Sequence, residues 1–168
     1  GDVYKRQVIE DIKKRINSRY PSHLFIWPVS VQGSSAEMEI HNAIKGFNKI
    51  ISKPDVIIIA RGGGSVEDLM PFNSEKVIIA ISDSKIPIIS AVGHESDVLV
   101  SDLVADLRAS TPSDAIERVV PVLPELYYLL DEYQDRLGNA SRRQISDNMQ
   151  RLRTLHARLR VAPIEGLN

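Results

Sequence analysis

Val56-Ile57-Ile58-Ile59-Ala60-Arg61-Gly62-Gly63-Gly64-Ser65 is the stretch that decides the fold. Five apolar residues in a row, four of them β-branched, have the pattern of a central parallel strand covered on both faces. The glycines then break the run. Ser65, with Asp68 three residues on, is a cap signature for a helical turn. Strand, tight turn and helix start in this order make the βα unit of a parallel sheet.

The flanks repeat the pattern. Ile86 to Val92 reads as a second buried strand, and Asn73 or Ser74 caps a helix before it that packs Val77, Ile78 and Ile81. Thr111-Pro112-Ser113-Asp114 is a cap with proline at the first helical position. Upstream, Val8, Ile9, Ile12 and Ile16 recur at helical spacing, and Pro21 ends that segment. Leu24 to Val31 is rich in strand formers, although Pro28 restricts it to an edge or a bulge. Ser34 and Glu37 form a capping box for a helix that buries Ile40, Ala43, Ile44, Phe47 and Ile51. The expected fold class is α/β: a parallel-sheet, Rossmann-like three-layer domain over residues 1–118.

From residue 119 the pattern changes. Leu126, Leu130, Tyr133, Leu137 and Ala140 step by fours and threes. Ile145, Met149, Leu152, His156 and Leu159 resume after a five-residue gap. Residues 119–168 thus read as a coiled-coil-type helix of about 36 residues, roughly 54 Å long, ended by Pro163.

The 168 residues are 43% hydrophobic and 26% charged, with no cysteine. That excludes a disulfide scaffold, a thiol nucleophile and a thiolate metal site. No apolar run reaches membrane-spanning length and Gly1 to Arg15 is too polar for a signal peptide, so a cytoplasmic location without membrane contact is expected. The net charge of −1 hides a pattern: +3 over residues 1–60, −5 over 61–118 and +1 over 119–168, with seven arginines between Arg136 and Arg160.

Three clusters carry chemistry. Arg61 and the backbone N–H groups of Gly62, Gly63 and Gly64, with Ser65 at a helix start, suit a phosphate. The competing reading is a tight turn beside a surface arginine. Gly93-His94-Glu95-Ser96-Asp97 follows the second strand. His94 and Asp97 share a face if the segment turns helically, which suits acid–base work; a satisfied loop histidine is the alternative. Asp102 and Asp106 stand four apart ahead of Arg108. They suit either a Mg²⁺ ion or a solvated helix face with an internal ion pair. His23, His41 and His156 read as structural or surface residues, and Tyr127, Tyr128 and Tyr133 as helix-packing ones.

RGGGSVEDL, then SAVGHESDV, then DLVADLRASTPSDA, taken in order, resemble the large-subunit family of bacterial exodeoxyribonuclease VII. Val31-Gln32-Gly33 and Val8 to Ile12 add to the resemblance, which covers about residues 8–118. It implies an exonuclease on single-stranded DNA that releases oligonucleotides from either end. It also implies a small partner subunit on the extended helix, and chemistry that does not strictly require a metal, Mg²⁺ being optional. Important family positions fall on Asp11, Arg61, His94 and Asp97, with Arg108 as a secondary phosphate contact. In that scheme Arg61 and the glycine loop grip phosphate, His94 moves a proton or donates to phosphate, Asp97 orients His94, and Asp11 orients water or a metal. Gly1 to Gln7 is unlike the family. An N-terminal OB-fold, a first strand with its turn and a returning helix are expected outside this sequence. The rival readings are a non-catalytic phosphate- or nucleotide-binding α/β module and a coiled-coil interaction scaffold.

Overall fold

The computed structural model describes residues 2–62, 65–93 and 98–161. The chain divides into two compact units, between Pro121 and Val122.

The first unit is built on three parallel strands, β1 (Ile57–Arg61), β2 (Ile88–Val92) and β3 (Leu107–Arg108), in the order β1-β2-β3. Ile57 pairs with Ile88 and Arg61 with Val92; Ile89 pairs with Leu107 and Ser90 with Arg108. β2 is therefore central and buried throughout, while β1 is an edge among the described residues.

Side chains alternate across the strands. Ile57, Ile88 and Val92 face one layer, which contains α2 (Ala36–Lys49) and α4 (Glu75–Ser82) through Ala36, Ile40, Ile44, Val77, Ala80 and Ile81. Leu69 and Phe72, from the short α3 (Val66–Leu69) and the 3₁₀ turn Met70–Asn73, complete this core. Phe72 is fully buried, a site where truncation to Ala costs about 3–5 kcal/mol. Ile89 and Ala91 face the opposite layer, with Ala109 and with Ala115 of α6 (Pro112–Val119). The expected three-layer α/β arrangement is present.

Local caps explain where several helices begin. The Ser74 hydroxyl accepts from Val77 N–H, and Thr111 accepts from Asp114 N–H ahead of Pro112. α1 (Asp2–Arg19) docks on α6 rather than on the sheet. Arg15 pairs with Glu117, and Arg19 donates from Nε to Val120 O (2.8 Å) and from Nη2 to Glu117 O (3.0 Å). These bonds satisfy carbonyls that a helix C-terminus leaves open.

Four local expectations are overturned. Leu24 to Val31 forms no ladder: Leu24 to Pro28 are exposed, and only Val29 and Val31 pack on the core. Its one backbone anchor to a helix side chain is Ser30 N–H donating to Glu39 (2.7 Å). Strand propensity without a neighbouring strand gives extended chain, and Pro28 has no N–H to offer one. The Ser34 capping box is absent: Ser35 is the N-cap, without a side-chain bond, and Glu37 pairs with Lys76 of α4. α2 stops at Lys49, which leaves Ile51 in solvent. Residues 100–108 are not one helix. α5 (Val100–Val104) ends at Ala105, and the chain turns into β3 because Asp106 bonds the start of β2 through its backbone and its carboxylate.

The second unit is dominated by α7 (Leu123–Val161), 39 residues without interruption. At 1.5 Å per residue it runs about 58 Å. The gap in heptad phase between Ala140 and Ile145 does not break it. Tyr133, Leu137, Ile145, Met149, Leu152, Leu155 and Leu159 are all exposed along it. Pro163, the expected stop, lies outside the described residues.

Candidate functional site

Arg61 is the last residue of β1, at the carboxyl end of the sheet, where open α/β sheets bind ligands. Its partner in register is Val92, so its side chain shares a face with Val92 and Ser90 of β2 and with Arg108 of β3. It is not a surface arginine: its side chain is only 6% exposed. One arm, Nη2, sits 3.2 Å from Asp68 Oδ2. The other, Nη1, is buried and has no hydrogen-bond partner among the described residues. A buried guanidinium nitrogen without an acceptor is costly, and an anion supplied by a ligand removes that cost.

Asp68 is fixed by the turn it helps build. Ser65 Oγ accepts from Asp68 N–H (3.4 Å), and Asp68 Oδ2 accepts from Ser65 N–H (3.3 Å), the reciprocal box expected from the sequence. The same carboxylate therefore closes the turn after the glycine loop and orients Arg61. Gly62 is half-buried, while Gly63 and Gly64 lie outside the described residues.

β2 is followed by Gly93, whose φ of +81° is a left-handed conformation that suits glycine. His94 and Asp97 follow it in sequence and lie outside the described residues, as do Glu95 and Ser96. Asp11 is exposed on α1, one turn before Arg15, on the layer reached through α6. Arg61 faces the other layer, and among the described residues no ion pair joins the two.

Asp102 keeps the internal ion pair of its second sequence reading, with Arg108, but not the solvated helix face. Its side chain is fully buried, not solvated. Oδ1 accepts from the Ser90 hydroxyl at 2.5 Å, and Oδ2 accepts from Leu99 N–H at 3.1 Å and lies 3.3 Å from Arg108 Nε. Asp106 accepts instead from Ile88 N–H (2.8 Å), at the start of β2, two residues before Ser90. The two carboxylates do not converge on an ion, and no cluster of three metal-ligating side chains occurs among the described residues. A signal for this network stood in the sequence: Ser90 is the one polar residue in Ile88-Ile89-Ser90-Ala91-Val92, and a buried polar side chain requires a partner.

The model of the exonuclease VII, large subunit family matches residues 5–168. The chain belongs to that family. Similar proteins include the exodeoxyribonuclease 7 large subunit of Agrobacterium fabrum, 48% identical over 153 residues, or 88% of this chain and 29% of the relative. That of Rickettsia bellii is 52% identical over 145 residues, 85% of this chain and 33% of the relative. That of Erythrobacter litoralis is 47% identical over 157 residues, 90% and 33%. The chain thus spans about a third of the length of the curated relatives it matches. No helix among the described residues is long and apolar enough to cross a membrane.

Proposed function

We propose that this chain supplies the catalytic α/β unit of an exodeoxyribonuclease that hydrolyses phosphodiester bonds in single-stranded DNA and releases oligonucleotides from either end. The observation that carries the reading is the unpartnered, buried Nη1 of Arg61 at the carboxyl end of β1. A fixed planar donor there suits a phosphoryl oxygen and gains strength as charge develops on it in the transition state. The N–H groups of Gly62, Gly63 and Gly64 add to that cradle, with Ser65 at the start of the following turn. His94 acts as general acid or base or donates to the phosphate, and Asp97 orients it. Asp11 orients the attacking water. These three roles rest on family resemblance.

A divalent metal is not required in this scheme, and Mg²⁺ is optional. α7 is the first arm of an antiparallel coiled coil, and its exposed apolar residues receive a small helical subunit. The enzyme works in the cytoplasm.

The test uses the full-length large subunit assembled with its small subunit, and end-labelled single-stranded DNA. Arg61→Ala and His94→Ala each lower turnover by about 10² or more, the scale for an electrostatic donor or an acid–base group. Wild-type turnover in a folded Arg61→Ala enzyme overturns the assignment of the site. Wild-type turnover in His94→Ala reduces the loop to an anion-binding device without chemistry at the histidine. Cleavage that continues near its untreated rate in EDTA agrees with the metal-independent scheme, and its loss overturns it.

A further inference from the structure

We infer that Asp102 is a positioning residue: it fixes the direction of Arg108, so that a second guanidinium serves the phosphodiester chain on the sheet face that carries Arg61. The inference rests on the reading of that face as a phosphate site.

Asp102 is placed by three elements at once. The Ser90 hydroxyl from β2 holds Oδ1, the Leu99 N–H at the start of α5 holds Oδ2, and Arg108 Nε from β3 lies against Oδ2. Capping α5 alone does not require this arrangement, because a cap works at the surface, where a carboxylate stays hydrated. Burial of a carboxylate is expensive. Its cation is not buried with it: the Arg108 side chain is 33% exposed against 0% for Asp102. The carboxylate is thus enclosed, while part of the Arg108 side chain reaches the surface. Register fixes the direction. Arg108 stands beside Ser90, and Arg61 beside Val92, two residues further along the same face of β2. Two cations on one face match a polyanionic strand better than a single phosphate.

Steady-state cleavage of single-stranded DNA by the full-length complex separates this role from mere structural pairing. Arg108→Gln raises KM by about tenfold and lowers the slope of log affinity against log salt by about one, as the loss of one phosphate contact should. Asp102→Asn keeps the Arg108 charge but releases its direction, and raises KM several-fold. The double variant Asp102→Asn/Arg108→Gln removes both charges. It regains the melting temperature lost by Arg108→Gln alone, while KM stays as high as in Arg108→Gln. If KM returns to wild type along with the melting temperature, the pair is only structural and the inference fails. It fails equally if Asp102→Asn leaves KM and the salt slope untouched. Should Asp102→Asn not fold, Ser90→Ala carries the test: it removes one restraint on Asp102 and raises KM by a smaller factor, or the inference is wrong. Arg61→Ala in the same assay reports on the phosphate site itself, so failure there is distinct from failure of the Asp102–Arg108 coupling.

Discussion

Arg61 and Arg108 lie on the same face of the same sheet, and their ion pairs are built in opposite ways. Arg61 is buried and its partner Asp68 is 38% exposed; Arg108 is partly exposed and its partner Asp102 is wholly buried. In the first pair the protein hides the cation and, among the described residues, leaves one of its nitrogens without an acceptor. In the second it hides the anion and satisfies it from three elements. A buried cation with a donor to spare gains from an incoming anion. A buried anion gains nothing from DNA and acts only through the arginine it holds. On the proposed reading, one sheet face therefore combines a fixed electrostatic contact with an aimed one.

The comparison breaks most directly at Arg61. Arg61→Ala removes the donor in the first pair and should cost about 10² or more in turnover, measured by single-stranded DNA cleavage. The second pair should fail in stability first. Arg108→Gln leaves the Asp102 carboxylate buried without its cation, for a loss of about 2 kcal/mol by denaturant unfolding. That is less than the roughly 3–5 kcal/mol of a fully buried pair, because Ser90 and Leu99 still donate. Asp68→Asn keeps much of the cap but removes the charge beside Arg61. It should lower turnover by about tenfold, within the range for loosening a catalytic group, and it should also lower the melting temperature, because Arg61 stays buried without its carboxylate. The smallest effect belongs to the surface pair Asp114–Arg118, which sets the baseline for ion pairs here. The Arg118 side chain and the Ser110 N–H hold Asp114 below its ordinary 3.8. A lowered folded-state value stabilises above the ordinary one and is lost as pH falls through the lowered one. Asp114→Asn should therefore flatten acid unfolding only below about pH 4, and change nothing at pH 7 beyond a few tenths of a kcal/mol.

Features set by neighbours in sequence were legible. Ser65, Ser74 and Thr111 cap helices because a side-chain oxygen reaches an N–H three residues on. The all-apolar surroundings of Ser90 marked β2 as buried. Arg61 could be singled out because it ends an apolar strand ahead of glycines. What failed depended on distant partners. Leu24 to Val31 has the composition of a strand, but a strand is made by its neighbour. Asp102 and Asp106 match a helical i,i+4 pair, yet Ser90 and Ile88 draw them to different parts of β2. Asp68 was legible as a cap but not as the partner of Arg61, since the glycine loop that brings them together has no periodicity.

The docking of α1 has a consequence for the order in which the chain folds. The carbonyls that Arg19 grips belong to residues 98 and 101 positions later. On a ribosome, α1 waits about 5–20 s for that surface to be made, while β1 and β2 can already pair around the intervening helices. Contacts of such sequence separation slow folding. α1 is thus a late-docking element: the parallel sheet assembles first, and the helix that carries Asp11 closes over α6 only once that helix exists.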